Sequence, residues 1–283
     1  PHGLKNVVGG RLSVKYCNTR LYVKMISCTF KTRISFRTDY IISTAFSFFA
    51  MLLQISIWQA LFAARNGKSL AGIGLNDMIA YNIIVTFTSG ISSCYIMHEL
   101  NNMVRKGEIA QRLLLPLGFR RHMFFSGISS NIFWTIYSAL PPCIIAIIVY
   151  GFNFNIKAEN LCLYIISAIL AFLINFCFGF IMGLTVFWFK NAFFLSWMTG
   201  AFMSLFSGSF VPMWFFPGWL NNVSVYLPFR YILFEPASIL LGKYLPGKAF
   251  EIVIVQIIWI GLLWALGDIL WRKGQKIVFS QGG

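Results

Sequence analysis

The sequence predicts an all-α membrane protein with six transmembrane helices and both termini on the cytoplasmic side. Three observations carry that class. Hydrophobic residues make up 58% of the 283-residue chain and charged residues only 11%, less than half of the roughly 25% typical of soluble domains. Six stretches meet the criterion of about 20 mostly apolar residues needed to cross roughly 30 Å of hydrocarbon: Tyr40 to Ala64, Ile79 to Met97, Met123 to Tyr150, Asn160 to Phe189, Ala192 to Phe216 and Ala249 to Trp271. The 23 Lys and Arg, set against 8 Asp and Glu, are sorted by side. Basic residues resist translocation and mark cytoplasmic loops. Eight precede Tyr40, five follow Met97 (Arg105, Lys106, Arg112, Arg120, Arg121), and Lys190, Arg272, Lys273 and Lys276 fall on the same side. Arg65, Lys68, Lys157, Arg230, Lys243 and Lys248 fall on the other. This sorting makes the positive charge a record of topology and argues against nucleic acid as a partner.

No connection is long enough for an appended soluble domain, so residues 40–271 read as one six-span domain, flanked by residues 1–39 and a cytoplasmic tail, 272–283. In residues 1–39, Leu12, Tyr16, Thr19, Val23, Ile26, Phe30 and Ile34 fall on one helical stripe, flanked by cations that include Arg20, Lys24, Lys31 and Arg33. This pattern predicts an interfacial helix, apolar face down and cations toward anionic lipid; an unstructured basic flank is the alternative. The first span begins at residue 40, is 25 residues long and lacks a small-residue cleavage pattern, so it is not expected to be a removable signal peptide.

Between the first two spans, Gly67-Lys68-Ser69 imitates the end of a phosphate-binding loop, but that motif requires a glycine where Phe62 stands. Gly72-x-Gly74 lacks the strand, third glycine and acidic partner of a dinucleotide site and reads as a turn. After the second span comes the longest cytoplasmic loop, His98 to Arg121. It divides into a helical stub (Glu99 to Val104), a break at Gly107, a short helix (Glu108 to Leu115) and a stop at Pro116. With Val104, Ile109, Leu113 and Leu114 among its charges, it makes a rigid peg suited to carrying force from a soluble partner; a plain solvated loop is the alternative.

Pro141-Pro142 removes two backbone donors from the third span and should kink it. Gly179-x3-Gly183 in the fourth permits a close helix contact. Between the fifth and sixth spans, about 212–246, Pro212, Pro217, Pro228, Pro236 and Pro246 interleave with Trp214, Phe215, Phe216, Trp219, Tyr226, Phe229, Tyr231 and Phe234. Unpaired backbone cannot face lipid, so this segment should form short re-entrant helices packed on protein, or an aromatic belt at the interface.

The chemistry-bearing residues are sparse. The six cysteines contain no CxxC pair and read as packing residues, with no disulfide framework or metal site suggested. None of the three histidines lies mid-membrane, and the carboxylates fall at span ends or in loops, with Glu235 beside the last outer segment. The intramembrane polar residues are neutral: Gln54, Gln59, Asn82, Asn131, Asn175 and Gln256. They either hydrogen-bond between helices or line a path. A proton-driven transporter usually buries a carboxylate or His between helices, so energy is expected from a partner. No catalytic residue, cofactor or metal is expected in this chain.

The run Val104-Arg105-Lys106-Gly107-Glu108-Ile109 followed by Leu113-Leu114-Leu115-Pro116-Leu117 resembles the cytoplasmic loop of ABC-2 type transporter permeases. Gly74-Leu75 with Asp77, and Leu227-Pro228-Phe229 with Glu235-Pro236 and Leu241-Gly242-Lys243, are similar to that family too. Two departures are Leu75, where a Trp often follows the glycine, and Leu115, where a basic residue often precedes the proline.

The resemblance implies a permease subunit of an ABC exporter in the cytoplasmic membrane, multi-pass and bacterial. It would pair with a second permease, the same or a homologous chain, and with two ABC ATPase subunits that hold ATP and Mg. On this analogy the coupling helix lies at about 99–116, with Arg105, Lys106, Gly107, Glu108, Ile109, Arg112, Leu113 and Pro116 as the ATPase-coupling residues. Asn82, Asn131, Asn175, Phe215, Trp219, Phe229 and Glu235 are the candidates for the path or an extracellular gate. Suitable cargo is amphipathic: a lipid, glycolipid, apolar peptide or drug. From a different class, a membrane-embedded lipid-modifying enzyme or a non-transporting assembly subunit is the competing reading; the enzyme needs clustered acid, base or metal groups, and the sparse His and carboxylates argue against it.

Overall fold

The computed structural model describes residues 37–70, 72–93, 95–106, 119–151, 156–189 and 193–281. The expected interfacial helix, with Arg20, Lys24, Lys31 and Arg33, lies outside the described residues. So do Gly107, Glu108, Ile109, Arg112, Leu113 and Pro116 of the loop.

The chain runs through ten α-helices among the described residues: α1 Arg37–Ala63, α2 Leu75–Ser92, α3 Ile96–Arg105, α4 Phe119–Trp134, α5 Leu140–Tyr150, α6 Ala158–Leu184, α7 Phe193–Phe206, α8 Gly218–Val225, α9 Phe234–Leu240 and α10 Pro246–Gln281. Among the described residues, five segments are long and apolar enough to cross a membrane: 41–63, 75–104, 119–150, 158–187 and 246–275. α2 and α6 form the centre. Met78, Tyr81, Ile83 and Ile84 of α2 and Ala171, Ile174, Phe176 and Phe180 of α6 are all buried. α10 lies along α6 in the most extensive helix contact of the fold. α1 turns Ile42, Phe46, Phe49, Leu53 and Ile57 outward at near-helical spacing and Met51, Ile55, Trp58 and Phe62 inward, as expected of a helix with lipid on one side.

Local chemistry explains where each helix ends or bends. α1 closes where the Asn66 amide donates to Ala63 O and the Gly67 amide to Phe62 O, so Gly67-Lys68-Ser69 begins as the helix stop. Gly72 turns the chain back, and Leu70 and Ile73 exchange backbone hydrogen bonds across it. The double proline is accommodated by a five-residue π-helical turn, Thr135–Ala139, ahead of α5. Pro141 has no N–H for Tyr137 O, its i−4 carbonyl, and the Thr44 hydroxyl of α1 donates to that oxygen at 2.6 Å. α2 approaches this turn so closely that a Cβ on Gly90 would lie 2.6 Å from the Ala139 Cβ.

The stretch expected as the fifth of six spans, Ala192 to Phe216, is the main departure. Its helix, α7, has 14 residues and rises about 21 Å, short of the roughly 30 Å of a bilayer core. It stops because Gly208 adopts φ +82 and presents its carbonyl to the Tyr81 hydroxyl at 2.7 Å. Pro212 and Pro217 then keep the following chain in short turns and helices. A Cβ at Gly208 would come within 2.7 Å of the Tyr81 hydroxyl and 2.9 Å of the Phe234 Cβ, at a φ that L-residues rarely adopt. Gly208→Ala is therefore expected to destabilise the fold by about 1–3 kcal/mol, read as a lowered melting temperature in detergent.

Candidate functional site

The direction of α2 distinguishes the two ends of the bundle. It starts at Leu75 and passes, through a break, into α3, which ends at Arg105. The loop from 107 to 118 leaves from α3 and returns into α4, and both of its feet are fastened to the α6–α10 pair.

α3 buries Ile96, Met97, Leu100 and Met103 and exposes His98, Asn102 and Lys106. Its seat on α6 depends on Gly183, where a Cβ would lie 3.1 Å from the Leu100 Cβ and 2.4 Å from its Cδ1. At the other foot, the Phe119 ring stacks on Trp271 at 4.7 Å and 4°. The Arg120 guanidinium lies 3.5 Å over the Trp264 ring and pairs with Asp268. Arg120 and Asp268 stand 148 positions apart, so no local spacing announces this clamp; in the sequence Arg120 reads as one of the loop cations and Asp268 as one of the carboxylates at span ends or in loops. Of the coupling residues expected in this loop, Arg105 closes α3, and Lys106 caps it through an amide donated to Asn102 O.

Midway through the bundle, α2 ends at Ser92 and Ser93 turns extended. A break inside a membrane leaves carbonyls that water cannot reach. Two of the path candidates serve them: Asn131 Nδ2 donates to Ile91 O at 2.7 Å, and Asn175 Nδ2 to Ser92 O at 2.6 Å. These asparagines hydrogen-bond between helices. Asn82 is also buried, with no partner for its amide nitrogen. The glutamines act likewise: Gln54 donates to Ser209 O and Phe210 O, and Gln256 to Ser167 O and Tyr231 O.

Two cavities flank the contact between α2 and the π-helical turn. One, of about 360 Å³, is lined by hydroxyls, among them Ser43, Ser47, Thr86, Ser89 and Ser138. The other, of about 310 Å³, is almost wholly apolar.

At the opposite end, residues 207–245 fold over the bundle around a buried ion pair. Arg230 Nε donates to Glu235 Oε1 at 2.5 Å, and its Nη1 donates to Asn221 Oδ1 at 2.6 Å and to the Ser224 hydroxyl at 3.0 Å. Arg230 is 9% exposed and Glu235 4%. One arginine thus joins α8, the 3-10 turn Pro228–Tyr231 and α9. Burial pushes the Glu235 carboxyl above its ordinary value, with the Arg230 charge pulling the other way. Burial and the negative charge of Glu235 push Tyr244 up.

A second pair fastens this segment to α2. The Gly242 and Lys243 amides donate back to α9 carbonyls, which aims Lys243 Nζ at Asp77 Oδ2, 2.8 Å away. Asp77 also accepts the Gly74 amide at the start of α2, where a carboxylate is favoured by the helix dipole. Two motifs far apart in sequence, Gly74-Leu75 with Asp77 and Leu241-Gly242-Lys243, therefore meet. Of the gate candidates, Phe215 packs on Trp58 at 5.2 Å and Phe229 on Phe178 at 5.0 Å, while Trp219 points outward, 69% exposed.

Among the described residues no group of three or more His, Cys, Asp or Glu could hold a metal ion. No curated protein matches the chain. The features assembled above are apolar spanning helices, a loop held at both feet and a Pro-broken cap over the far end. Residues 48–282 match the family model described as ABC-2 family transporter protein, and the chain belongs to that family.

Proposed function

We propose that the chain is the permease subunit of an ATP-driven exporter that moves an amphipathic substrate out of a bacterial cytoplasm across the cytoplasmic membrane. Members of the family are transport subunits that work with ABC ATPase subunits. Two such ATPases would hold ATP and Mg, and the path would lie between this chain and a second permease, identical or homologous. The chain would make six crossings, the short α7 being completed by the folded segment after it, with both termini cytoplasmic. Residues 207–245 would form the extracellular gate, its short helices re-entering the membrane edge.

The observation that carries this reading is the double fastening of the loop. Force applied to residues 107–118 reaches α6 through Leu100 against Gly183 and α10 through Arg120 on Trp264 and Asp268. Because α6 and α10 share the largest interface of the bundle, the two inputs act on one unit, and Gln256 on α10 bonds Tyr231 O in the gate. A side-chain chain of this kind is the physical route by which a soluble motor could move the far end.

Charge reversal at the loop tests it. The pair Arg105→Glu and Glu108→Lys is expected to leave the protein in the membrane and the ATPase active, while export falls by roughly tenfold or more. Unchanged export in reconstituted vesicles would remove these residues from the coupling role.

A further inference from the structure

The hydroxyl-lined cavity between α1, α2 and the π-helical turn lies within apolar spans, where a polar wall without hydrogen-bonding contents is costly. α1 brings Ser43 and Ser47 to it, one helical turn apart; α2 brings Thr86, Ser89 and Ser93, again on one face; the π-helical turn brings Ser138. Such a turn is frequent at functional sites. Ala63, Leu75 and Tyr150 are the helix ends away from the 107–118 loop. Counted from them at about 1.5 Å per residue, the lining begins roughly 17 Å in, at Thr86, and reaches roughly 30 Å, at Ser43. The cavity therefore occupies the loop-side half of the bilayer.

Its chemistry is uncharged and rich in acceptors. No Lys, Arg, Asp or Glu lines it, so an anionic head meets no cation there and an ammonium no counter-charge. The Ser89 hydroxyl donates to Thr86 O at 2.7 Å and the Ser93 hydroxyl to Gly90 O at 3.1 Å, which leaves both oxygens only lone pairs to offer. Ser47 and Ser138 share one proton across 2.9 Å, so one of the two O–H groups stays free. The matching occupant is a neutral group that carries several O–H donors.

The rest of the wall is aromatic. Tyr95 and Trp134 line the cavity, stacked at 5.3 Å and 23°, and Tyr95, 39% exposed, places an opening beside the break that follows α2. Aromatic faces carry negative charge density and take the C–H face of a sugar ring, whose hydroxyls lie around its edge. At about 360 Å³ the space falls at the lower end of ligand pockets, roughly 300–1,000 Å³. Water, at about 30 Å³ a molecule, satisfies the hydroxyls but makes no use of the aromatic pair.

We propose that this cavity binds an uncharged sugar ring, free or carried on an acyl chain, with Ser47, Ser89, Ser93 and Ser138 on its hydroxyls and the Tyr95–Trp134 pair on its C–H face. Binding does not depend on the exporter reading; only the role of the sugar as cargo rests on it.

The test is photolabelling of the full chain in phosphatidylcholine nanodiscs with dodecyl glucoside bearing a diazirine next to the head and, separately, with its permethylated form, which keeps the ring and loses every O–H. The glucoside is expected to label residues 43–47, 86–93 and 134–139 about tenfold more than the permethylated probe, the ratio expected for one buried hydrogen bond. A dodecyl phosphocholine probe should label them no more than the permethylated one. Ser89→Leu should fill the space and abolish labelling. Where that change lowers the melting temperature, Ser89→Ala carries the test, with labelling reduced roughly two- to tenfold. Ile148→Trp, at a position 76% exposed outside the cavity, should leave labelling intact. Displacement by free glucose assigns the site to the sugar alone, and displacement only by unlabelled dodecyl glucoside assigns it to a sugar on a chain. Equal labelling by the glucoside and its permethylated form, even labelling of the lipid-facing helices, or labelling unchanged in the Ser89 variants overturns the site. No labelling by either probe leaves water as the occupant and overturns it too. Labelling needs neither ATP nor a partner, so its failure in a preparation that still binds its ATPase refutes the cavity alone. Site labelling in a chain that binds no ATPase keeps the cavity and refutes its role as a cargo site.

Discussion

Truncating Glu235 to Ala is expected to cost the fold about 3–5 kcal/mol, because it leaves the Arg230 guanidinium buried without its counter-charge. Arg230 also donates to Asn221 and Ser224 and lies 4.9 Å from the centroid of the Phe234 ring, but all three are neutral. The loss should appear as a melting temperature lowered by several degrees in detergent and as faster proteolysis between residues 207 and 245. Glu235→Gln keeps an acceptor for Arg230 Nε and should cost less. Replacing both partners by apolar residues, Arg230→Met with Glu235→Leu, should recover much of the stability, since a buried pair and a hydrophobic replacement are often close in energy. Full stability in Glu235→Ala would show that the pair does not hold the segment together.

The pH dependence has a definite sign. Burial, the largest influence on Glu235, raises its pKa above 4.5 in spite of Arg230. A carboxyl whose folded pKa is raised contributes stability that is full below its unfolded pKa and is lost as pH rises through the folded value. The difference in melting temperature between the parent chain and Glu235→Gln should therefore shift in favour of the parent as pH falls from 7 toward 4.5. A shift the other way would mean that Arg230 outweighs burial.

The sequence announced the spans because their signal is local. Twenty apolar residues in a row have few alternatives to a membrane helix, and five of the six expected stretches correspond to long apolar helical segments. The remaining one, the expected fifth span Ala192 to Phe216, is just as apolar, but its helix is stopped at Gly208 by a hydroxyl from Tyr81, 127 positions away, and no window of sequence contains that contact. The same division holds in the site. Pro141-Pro142 gave notice of a bend, but not that Thr44 of another helix would serve the orphaned carbonyl. Asn131 and Asn175 were visible as polar residues in apolar helices; that they cap a break in α2 depends on that break, which falls in a run of small and hydroxyl residues without a proline. Glu235 is legible as a carboxylate beside the last outer segment, and its partner lies only five residues away. The motifs around Asp77 and Lys243 could be seen singly, while their meeting is a property of the fold.

Removing Arg120 should separate mechanics from stability more cleanly than any other change in the bundle. In Arg120→Leu the cation over the Trp264 ring and the pair with Asp268 are both lost. Against that loss, the Arg120 side chain is only 13% exposed, and the buried Nε and Nη2 of its guanidinium have no hydrogen-bond partner, so removing it also relieves a desolvation cost. Asp268 is 46% exposed and is left to water rather than stranded. The net change in stability should then be small, within about 1 kcal/mol, with the Phe119–Trp271 stack keeping α4 in place. The mechanical effect should be larger. With one foot of the loop released from α10, the ATP hydrolysed per substrate exported should rise roughly two- to thirtyfold, the range of 0.5–2 kcal/mol by which single contacts tune coupling between distant sites. Arg120→Lys should not restore coupling, because an ammonium cannot lie flat on the indole while reaching the carboxylate. Arg121→Leu, at the exposed neighbouring position, should couple normally. A transport-to-hydrolysis ratio in Arg120→Leu equal to that of the parent chain, at equal melting temperature, would show that the loop acts on the spans through α3 and Gly183 alone.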